Sequence, residues 1–220
     1  MKRNVVATGD GSSTIYLPEM DEHYHSSHGA IQEAVHVFIQ NGLQFIDKDE
    51  VVIFELGLGT GLNALLTIQE ALQSKRKVNY IGLEAYPVDE SDVAQLNYVS
   101  KIDESLDEAF SELHLAPWNV PFPINDCFAI TKVDQKIQDY SVKIESVDLI
   151  YFDAFGFRAQ EEMWSIDVLR KMYEMLIPNG VLVTYAARGQ FKRDLKSLGF
   201  EVESLPGPPG KREMLRAIKH

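Results

Sequence analysis

Short apolar runs alternate with amphipathic segments along most of the chain. Each run has the length and continuity of a buried strand. The predicted strands are Val51–Leu56, Val78–Leu83, Phe128–Val133, Val147–Phe152 and Val181–Tyr185. Apolar residues at helical spacing predict the helices Gly61–Gln73, Glu161–Leu176 and Phe191–Leu198, and a polar, helix-prone stretch covers Val88–Leu113. This alternation predicts a mainly parallel sheet with helices on both faces.

The end of the chain follows a different pattern. Two more apolar segments, Phe200–Leu205 and Met214–Ile218, flank the loop Pro206–Gly210. So short a connection requires antiparallel strands. We therefore predict an α/β core over residues 51–220 with a mostly parallel, seven-stranded sheet and a C-terminal antiparallel hairpin. Residues 1–50 are predicted to form a preface that covers a ligand pocket, with a helix near Gly29 capped by Ser26 or Ser27.

Composition agrees with one ordinary globular domain. The chain has 220 residues, of which 45% are hydrophobic and 25% are charged. No apolar run reaches the length of a membrane span, and Met1–Ser13 lacks the features of a secretory signal. Cys127 is the single cysteine, so no internal disulfide can form. We expect a cytoplasmic protein without a membrane partner.

Charge is distributed unevenly. A net charge of −12 argues against a general nucleic-acid binder. From Arg188 onward, however, the chain carries eight Lys or Arg and four Asp or Glu. This basic end indicates either a polyanionic partner at that location or a solvated surface with an uneven charge.

The strongest local motif is the glycine-rich segment Glu55–Gly61, between a predicted strand and a predicted helix. Its glycines permit a sharp turn and close approach of a ligand, and the helix directs free N–H groups at that ligand. Gly59, Gly61 and Ala64 fit the dinucleotide pattern. The acidic Glu55 followed by Gly57, Gly59 and Gly61 fits the S-adenosylmethionine turn of methyltransferases better. A turn without ligand is the structural alternative.

Three carboxylates follow predicted strands. Glu84 is placed to accept hydrogen bonds from ribose hydroxyls. Asp134 is placed to accept a hydrogen bond from an adenine amino group, or it could act as a helix N-cap. Asp153 ends an apolar strand and precedes an aromatic segment that includes Phe155. A carboxylate there could orient an amine nucleophile and accept its proton, or it could only cap the strand end.

Three histidines, His23, His25 and His28, lie close together in the sequence. Their spacing matches none of the usual zinc-ligand patterns, and no cysteine cluster accompanies them. We therefore predict no metal site.

Several longer motifs resemble a known family. They are Tyr24–Ala30 with Val37–Ile39, Gly57–Asn63, Asp153–Phe155 with Glu162–Trp164, and the Gly210–Leu215 run. Together they resemble the methyltransferase domain of the MnmC family, bifunctional enzymes of 5-methylaminomethyl-2-thiouridine synthesis in tRNA. The resemblance implies a Rossmann-like class I methyltransferase fold. This chain also differs from the family in places. The family usually has a Pro and a Lys where this chain has Phe157 and Ala159, with Arg158 between them.

The resemblance implies N-methylation of the 5-aminomethyl group of wobble uridine, with S-adenosyl-L-methionine as cofactor. The implied cofactor-binding residues are Glu55, Gly57, Gly59, Gly61, Asn63, Glu84, Asp134 and Asp153. Asp153 and Phe155 would be catalytic, and Lys211, Arg212 and Trp164 would meet the tRNA or order the site. Because the chain ends at His220 without a flavin-dependent domain, a stand-alone form is expected, with tRNA as a transient partner and a separate FAD-dependent oxidoreductase as a candidate partner.

Other functions remain open at this point. The acidic balance also fits a methyltransferase for a small amine or a protein, and a polyamine aminopropyltransferase shares the fold. A cofactor-binding protein without catalytic activity is the non-enzymatic alternative.

Overall fold

The computed structural model describes residues 2–220. Its strands are β1 (Asn4–Ala7), β2 (Ser13–Leu17), β3 (Glu22–His23), β4 (Glu50–Leu56), β5 (Lys77–Glu84), β6 (Phe122–Asn125), β7 (Phe128–Asp134), β8 (Val147–Phe152), β9 (Leu176–Thr184), β10 (Phe200–Pro206) and β11 (Glu213–Lys219). Its α-helices are α1 (Ala30–Ala34), α2 (Leu62–Ser74), α3 (Glu90–Val93), α4 (Tyr98–Ile102), α5 (Asp107–Leu115), α6 (Ile166–Met175) and α7 (Gly189–Ser197). The π-helix Val35–Gln40 continues α1.

The main sheet confirms the predicted fold class, with one strand more than expected. Its order is β10-β11-β9-β8-β4-β5-β7-β6, eight strands in all. The inner pairs are parallel, and the β10–β11 hairpin joins β9 antiparallel. The additional strand is β6, which pairs antiparallel with β7 at the far edge. It contains Pro123, a residue tolerated at sheet edges, and this proline hid the strand from a reading of the sequence pattern.

Successive side chains of the inner strands point to opposite faces of the sheet and so form two apolar layers. Ile53 and Tyr151 pack with α2 and α5 on one face, whereas Phe54 and Ile150 pack with α6 and α7 on the other. Both faces of the sheet are therefore buried, which is why the inner strands are apolar throughout rather than alternating with polar residues.

The first 50 residues contain a separate three-stranded antiparallel sheet, β1-β2-β3. The prediction that Ser26 or Ser27 caps α1 is wrong: the N-cap position is Gly29, and no cap side chain bonds there. Instead, the Asp10 carboxylate accepts a hydrogen bond from Gln32 N at 3.0 Å. An acceptor from a different segment satisfies the helix start, so local sequence could not identify it.

Two predicted helices are interrupted. The stretch from Val88 onward forms three short helices, α3 to α5. The helix predicted from Glu161 becomes a 3₁₀ turn, Glu161–Trp164, followed by α6, because Ser165 accepts a hydrogen bond from Val168 N and starts a new helix. Within residues 2–220, no helix is long and apolar enough to cross a membrane.

Candidate active site

A cavity of about 1060 Å³ opens where the parallel strands end. Residues from the ends of β4, β5 and β7 and from the loop after β8 line it, together with residues of the N-terminal preface. In open α/β sheets, ligands bind at this carboxyl edge. The cavity therefore lies where the sequence predicted a ligand.

The glycine-rich turn closes one side of this cavity. Gly57 has φ +93°, and a Cβ there would lie 2.7 Å from the Asp153 carbonyl oxygen. Any other residue at this position would push the turn away from the strand that carries Asp153. Gly59 also has a positive φ, and its N–H donates to Glu84 Oε2 at 2.9 Å. Gly61 is the left-handed N-cap of α2 and faces Leu113 rather than the cavity.

Two acidic residues lie side by side at the strand ends. Glu84 and Asp134 are paired in the β5–β7 register, and both line the cavity. Glu84 Oε1 also accepts a hydrogen bond from Tyr86 N at 2.9 Å. With both oxygens held by backbone N–H groups, the Glu84 carboxylate has a defined orientation and keeps lone pairs for hydroxyl donors.

Asp153 sits above a buried polar network. Asn63 Nδ2 donates to Asp153 Oδ2 and to Glu55 Oε1, each at 2.8 Å, and Tyr80 OH donates to Glu55 Oε2 at 2.8 Å. Burial raises the pKa of Asp153 to about 7, against the lowering effect of the Asn63 hydrogen bond. Burial, reinforced by the nearby Asp153, also raises the pKa of Glu55 well above its ordinary value. Near pH 7, Asp153 can therefore exchange a proton.

A second pair of charges acts on Asp153 from a distance. Lys211 Nζ forms an ion pair with Glu33, whose side chain is only 9% exposed. The same Nζ lies 3.8 Å from the ring centroid of Tyr185, whose OH donates to the Ala154 carbonyl oxygen at 2.9 Å. Glu33 raises and Lys211 lowers the pKa of Asp153. The C-terminal hairpin thus contributes to the electrostatics of the cavity.

Aromatic residues shape the wall beside Asp153. Phe155 lines the cavity and makes an edge contact with Tyr24, at 5.0 Å between ring centroids. Trp164 is buried outside the cavity lining, and its Nε1–H donates to the Phe155 carbonyl oxygen at 2.8 Å. Trp164 therefore holds the segment that presents Phe155, and does not itself face the cavity.

The N-terminal preface supplies a further part of the cavity wall. Arg3, Tyr24 and His25 line the cavity. Arg3 donates to the Tyr86 carbonyl oxygen at 2.8 Å, while its buried Nε finds no partner among residues 2–220. Burial lowers the pKa of His25 to about 4, so its imidazole is neutral at pH 7. Sequence patterns did not single out Arg3, because it precedes any motif.

Another wall is a loop that follows β7. Residues 135–139 line the cavity, and Lys171 of α6 donates to the carbonyl oxygens of Ile137, Gln138 and Tyr140 at 2.7, 2.7 and 2.9 Å. One lysine thus anchors a loop more than 30 residues away in sequence. No sequence signal connects the two.

The predicted site residues fall into three groups. Those that line the cavity are Gly57, Gly59, Glu84, Asp134, Asp153 and Phe155. Those that do not line the cavity but hold residues or segments that do are Glu55, Gly61, Asn63 and Trp164. Lys211 points inward to Glu33, whereas Arg212 is 95% exposed and lies outside the cavity. Among the described residues, no group of three or more His, Cys, Asp or Glu is arranged to hold a metal ion.

Comparison with known proteins agrees with this geometry. Residues 123–220 match a family described as S-adenosyl-L-methionine-dependent methyltransferase. The "tRNA 5-methylaminomethyl-2-thiouridine biosynthesis bifunctional protein MnmC" of Cupriavidus necator is 30% identical over 216 residues, which cover 90% of this chain and 32% of that protein. The protein of the same name from Pseudoalteromonas atlantica is 28% identical over 236 residues, covering 95% and 32%.

A solved structure supports the fold. The crystal structure of MnmC2 from Aquifex aeolicus superposes with a TM-score of 0.78 at 22% identity, covering 98% of this chain and 69% of that one. The resemblance to the MnmC methyltransferase domain is thus confirmed over most of this chain, and the matched family indicates an S-adenosyl-L-methionine-dependent methyltransferase. The chain spans about a third of the length of the curated relatives it matches.

Proposed function

We propose that this methyltransferase transfers a methyl group from S-adenosylmethionine to the 5-aminomethyl nitrogen of wobble uridine or 2-thiouridine in tRNA. The observation that carries the chemistry is Asp153, a carboxylate on the cavity wall with a pKa raised to about 7. The proposal for the substrate is supported by the similarity to MnmC proteins over about 90% of the chain.

The residues present fit the cofactor. Glu84 is oriented to accept from ribose hydroxyls, and Asp134 beside it can accept from an adenine amino group. The Arg3 side chain lies in the cavity wall, and its buried Nε is a donor without a partner among residues 2–220. We assign Gly57 and Gly59 to close backbone approach. Glu55, Gly61 and Asn63 would act indirectly, by holding the turn and Asp153.

When bound, S-adenosylmethionine supplies an electrophilic methyl carbon on a sulfonium. In the transfer, a C–N bond forms as the C–S bond breaks, and the sulfur becomes a neutral thioether. The amine must present a lone pair, so its proton has to leave. Asp153 can take that proton when ionised, since its pKa is close to neutral pH. Asn63 holds the carboxylate in place, and the aromatic wall of Phe155 and Tyr24 limits access of water.

The test is transfer of labelled methyl from S-adenosylmethionine to bulk tRNA isolated from cells that lack this protein, followed by nucleoside analysis. We expect label in 5-methylaminomethyl uridine derivatives, and its loss in Asp153→Asn. Cofactor binding without any label in tRNA would overturn the tRNA substrate.

A second candidate is methylation of a small amine. The main cavity is lined by six carboxylates, those of Glu84, Asp89, Asp134, Asp139, Asp153 and Glu162. Such a lining attracts a cationic ligand. Methylation of free amines at rates equal to those on tRNA would favour this function.

The proposal includes the context of the reaction. With tRNA as substrate, the protein would work in the cytoplasm, and an FAD-dependent oxidoreductase activity would supply the 5-aminomethyl group. A separate FAD-dependent oxidoreductase would be its functional partner. The bifunctional name of the relatives supports such a second activity.

A further inference from the structure

A second groove lies beside the main cavity. It has a volume of about 540 Å³ and is formed by the loops after β8 and β9 and by the β10–β11 turn. Its lining consists of Phe157, Tyr185, Ala186, Ala187, Arg188, Lys211, Arg212 and Glu213. Tyr185 connects it to the main cavity, because its OH bonds to Ala154, the residue after Asp153. A molecule in this groove would therefore sit next to the proposed reaction centre.

The cations of the groove differ in how they are held. Lys211 is neutralised by Glu33, and it packs over Tyr185. Arg212 follows it directly, is 95% exposed, and reaches only the Glu213 carboxylate, at 3.9 Å. An exposed pair at that distance contributes little stability, so Arg212 remains available to another anion.

Arg188 is exposed but supported. Its guanidinium lies 5.0 Å from the Phe157 ring centroid. The Phe157 ring in turn stacks on Trp164, at 4.1 Å between centroids and 28° between planes. The stack of Trp164, Phe157 and Arg188 holds a cation in a defined place without a carboxylate partner. A planar guanidinium of this kind can bind a phosphate and stack on a nucleobase.

Helix α7 extends the cationic surface. Lys192 donates to Ser204 Oγ at 2.6 Å, and Arg193 donates to Gln190 Oε1 at 2.8 Å. The ion pairs within residues 2–220 involve neither these two residues nor Arg188. In a chain with a net charge of −12, these cations beside the active cavity form a local basic surface without carboxylate partners.

We propose that this groove binds the sugar-phosphate backbone of the RNA strand next to the target nucleoside. Arg188 and Arg212 would each contact a phosphate, with Lys192 and Arg193 on the outer margin. The inference rests on the proposed tRNA substrate and specifies where that substrate docks. Since most of the rest of the chain is acidic, the footprint is local: a few phosphates of a loop rather than a long duplex.

The experiment measures binding of unmethylated tRNA to the full chain in a salt series, for the wild type, Arg188→Gln, Arg212→Gln and the double variant. For a single strand, log K falls with log salt with a slope of about −0.7 per phosphate contact. Each single variant should therefore reduce the slope by about 0.7 and weaken binding roughly fivefold at 0.1 M salt. The double variant should weaken binding roughly 25-fold.

Arg170→Gln is the matched control. Arg170 is an arginine on α6, paired with Asp167 at 2.7 Å, and it lines neither cavity. It should leave the slope unchanged. S-Adenosylmethionine affinity, measured for every variant, reports whether the main cavity is intact.

The outcomes separate the two proposals. A wild type that methylates and binds tRNA, with groove variants whose salt slope equals that of the control, overturns the docking groove and leaves the proposed function standing. A wild type that binds cofactor but neither binds nor methylates tRNA overturns both. If one groove variant loses cofactor affinity, the other single variant carries the test. Arg188→Lys, which keeps the charge, should restore the part of the salt slope that Arg188→Gln loses, and a slope equally reduced in both would overturn the phosphate contact.

Discussion

The two cavities at the carboxyl edge of the sheet carry opposite charge. The larger is lined by six carboxylates and, apart from the neutral His25, by only two basic residues, Arg3 and Lys136. The smaller is lined by three cations and one carboxylate, Glu213. The acidic cavity suits a cofactor with a sulfonium and an ammonium group, and the basic groove suits a polyanion. The uneven charge along the chain thus corresponds to two neighbouring regions whose linings have opposite charge.

Two consecutive residues of the basic groove are held in different ways. Lys211 points to Glu33 and influences Asp153, whereas Arg212 points to solvent. Both residues line the basic groove, but only Lys211 also affects the electrostatics of the acidic cavity, through its effect on the pKa of Asp153. Substitutions in either region should therefore have separable effects.

The largest effect is expected from Asp153→Asn. The amide keeps the hydrogen bond with Asn63 but cannot accept the amine proton, so kcat should fall by about 10²- to 10³-fold. Single-turnover methyl transfer measures the loss, and titration calorimetry should show retained S-adenosylmethionine binding. Wild-type kcat in this variant would remove Asp153 from the role of base.

Glu84→Ala should come next. It removes an oriented carboxylate from the acidic cavity and should weaken S-adenosylmethionine binding by about 10- to 100-fold. Affinity for tRNA, measured in the same preparation, should not change. Asp89→Asn serves as the control, because Asp89 lines the same cavity but its side chain is 79% exposed. An equal loss in both variants would indicate a general charge effect instead of a specific contact.

A smaller effect is expected in the pH profile. The wild-type rate should rise with pH through about 7 and then level off, because Asp153 accepts a proton only when ionised. Lys211→Met removes a cation that lowers the pKa of Asp153 and leaves Glu33, which raises it, unpaired. The rising limb should therefore move to higher pH. Arg212→Met should leave the limb in place, and a shift of equal size in both variants would contradict the division between the two residues.

The smallest effect is expected from Trp164→Phe. This substitution removes the hydrogen bond to the Phe155 carbonyl oxygen but keeps an aromatic ring beside Phe157. A net loss of about 1 kcal/mol in stability is typical of one hydrogen bond. Thermal unfolding and tRNA affinity together test it: a large loss of tRNA affinity without a change in stability would mean that Trp164 contacts the RNA directly.

Local sequence determined seven strands of the main sheet and the edge of that sheet at which the predicted site residues lie. The periodicity of Val147–Phe152 and the positions of Glu84, Asp134 and Asp153 directly after strands were sufficient, because parallel strands bring their carboxyl ends together. The glycine-rich turn could also be predicted from the sequence, because positive φ angles and close backbone contact require glycines there.

Tertiary structure alone decided what surrounds those residues. Asp10 caps α1 from another segment, Asn63 joins Glu55 to Asp153, and Lys211 pairs with Glu33 across 178 positions of sequence. Such contacts depend on how separate elements pack. A local pattern in a single sequence does not show which distant residues will lie close together. The pairing of Lys211 with Glu33 and the exposure of Arg212 are also decided by tertiary packing.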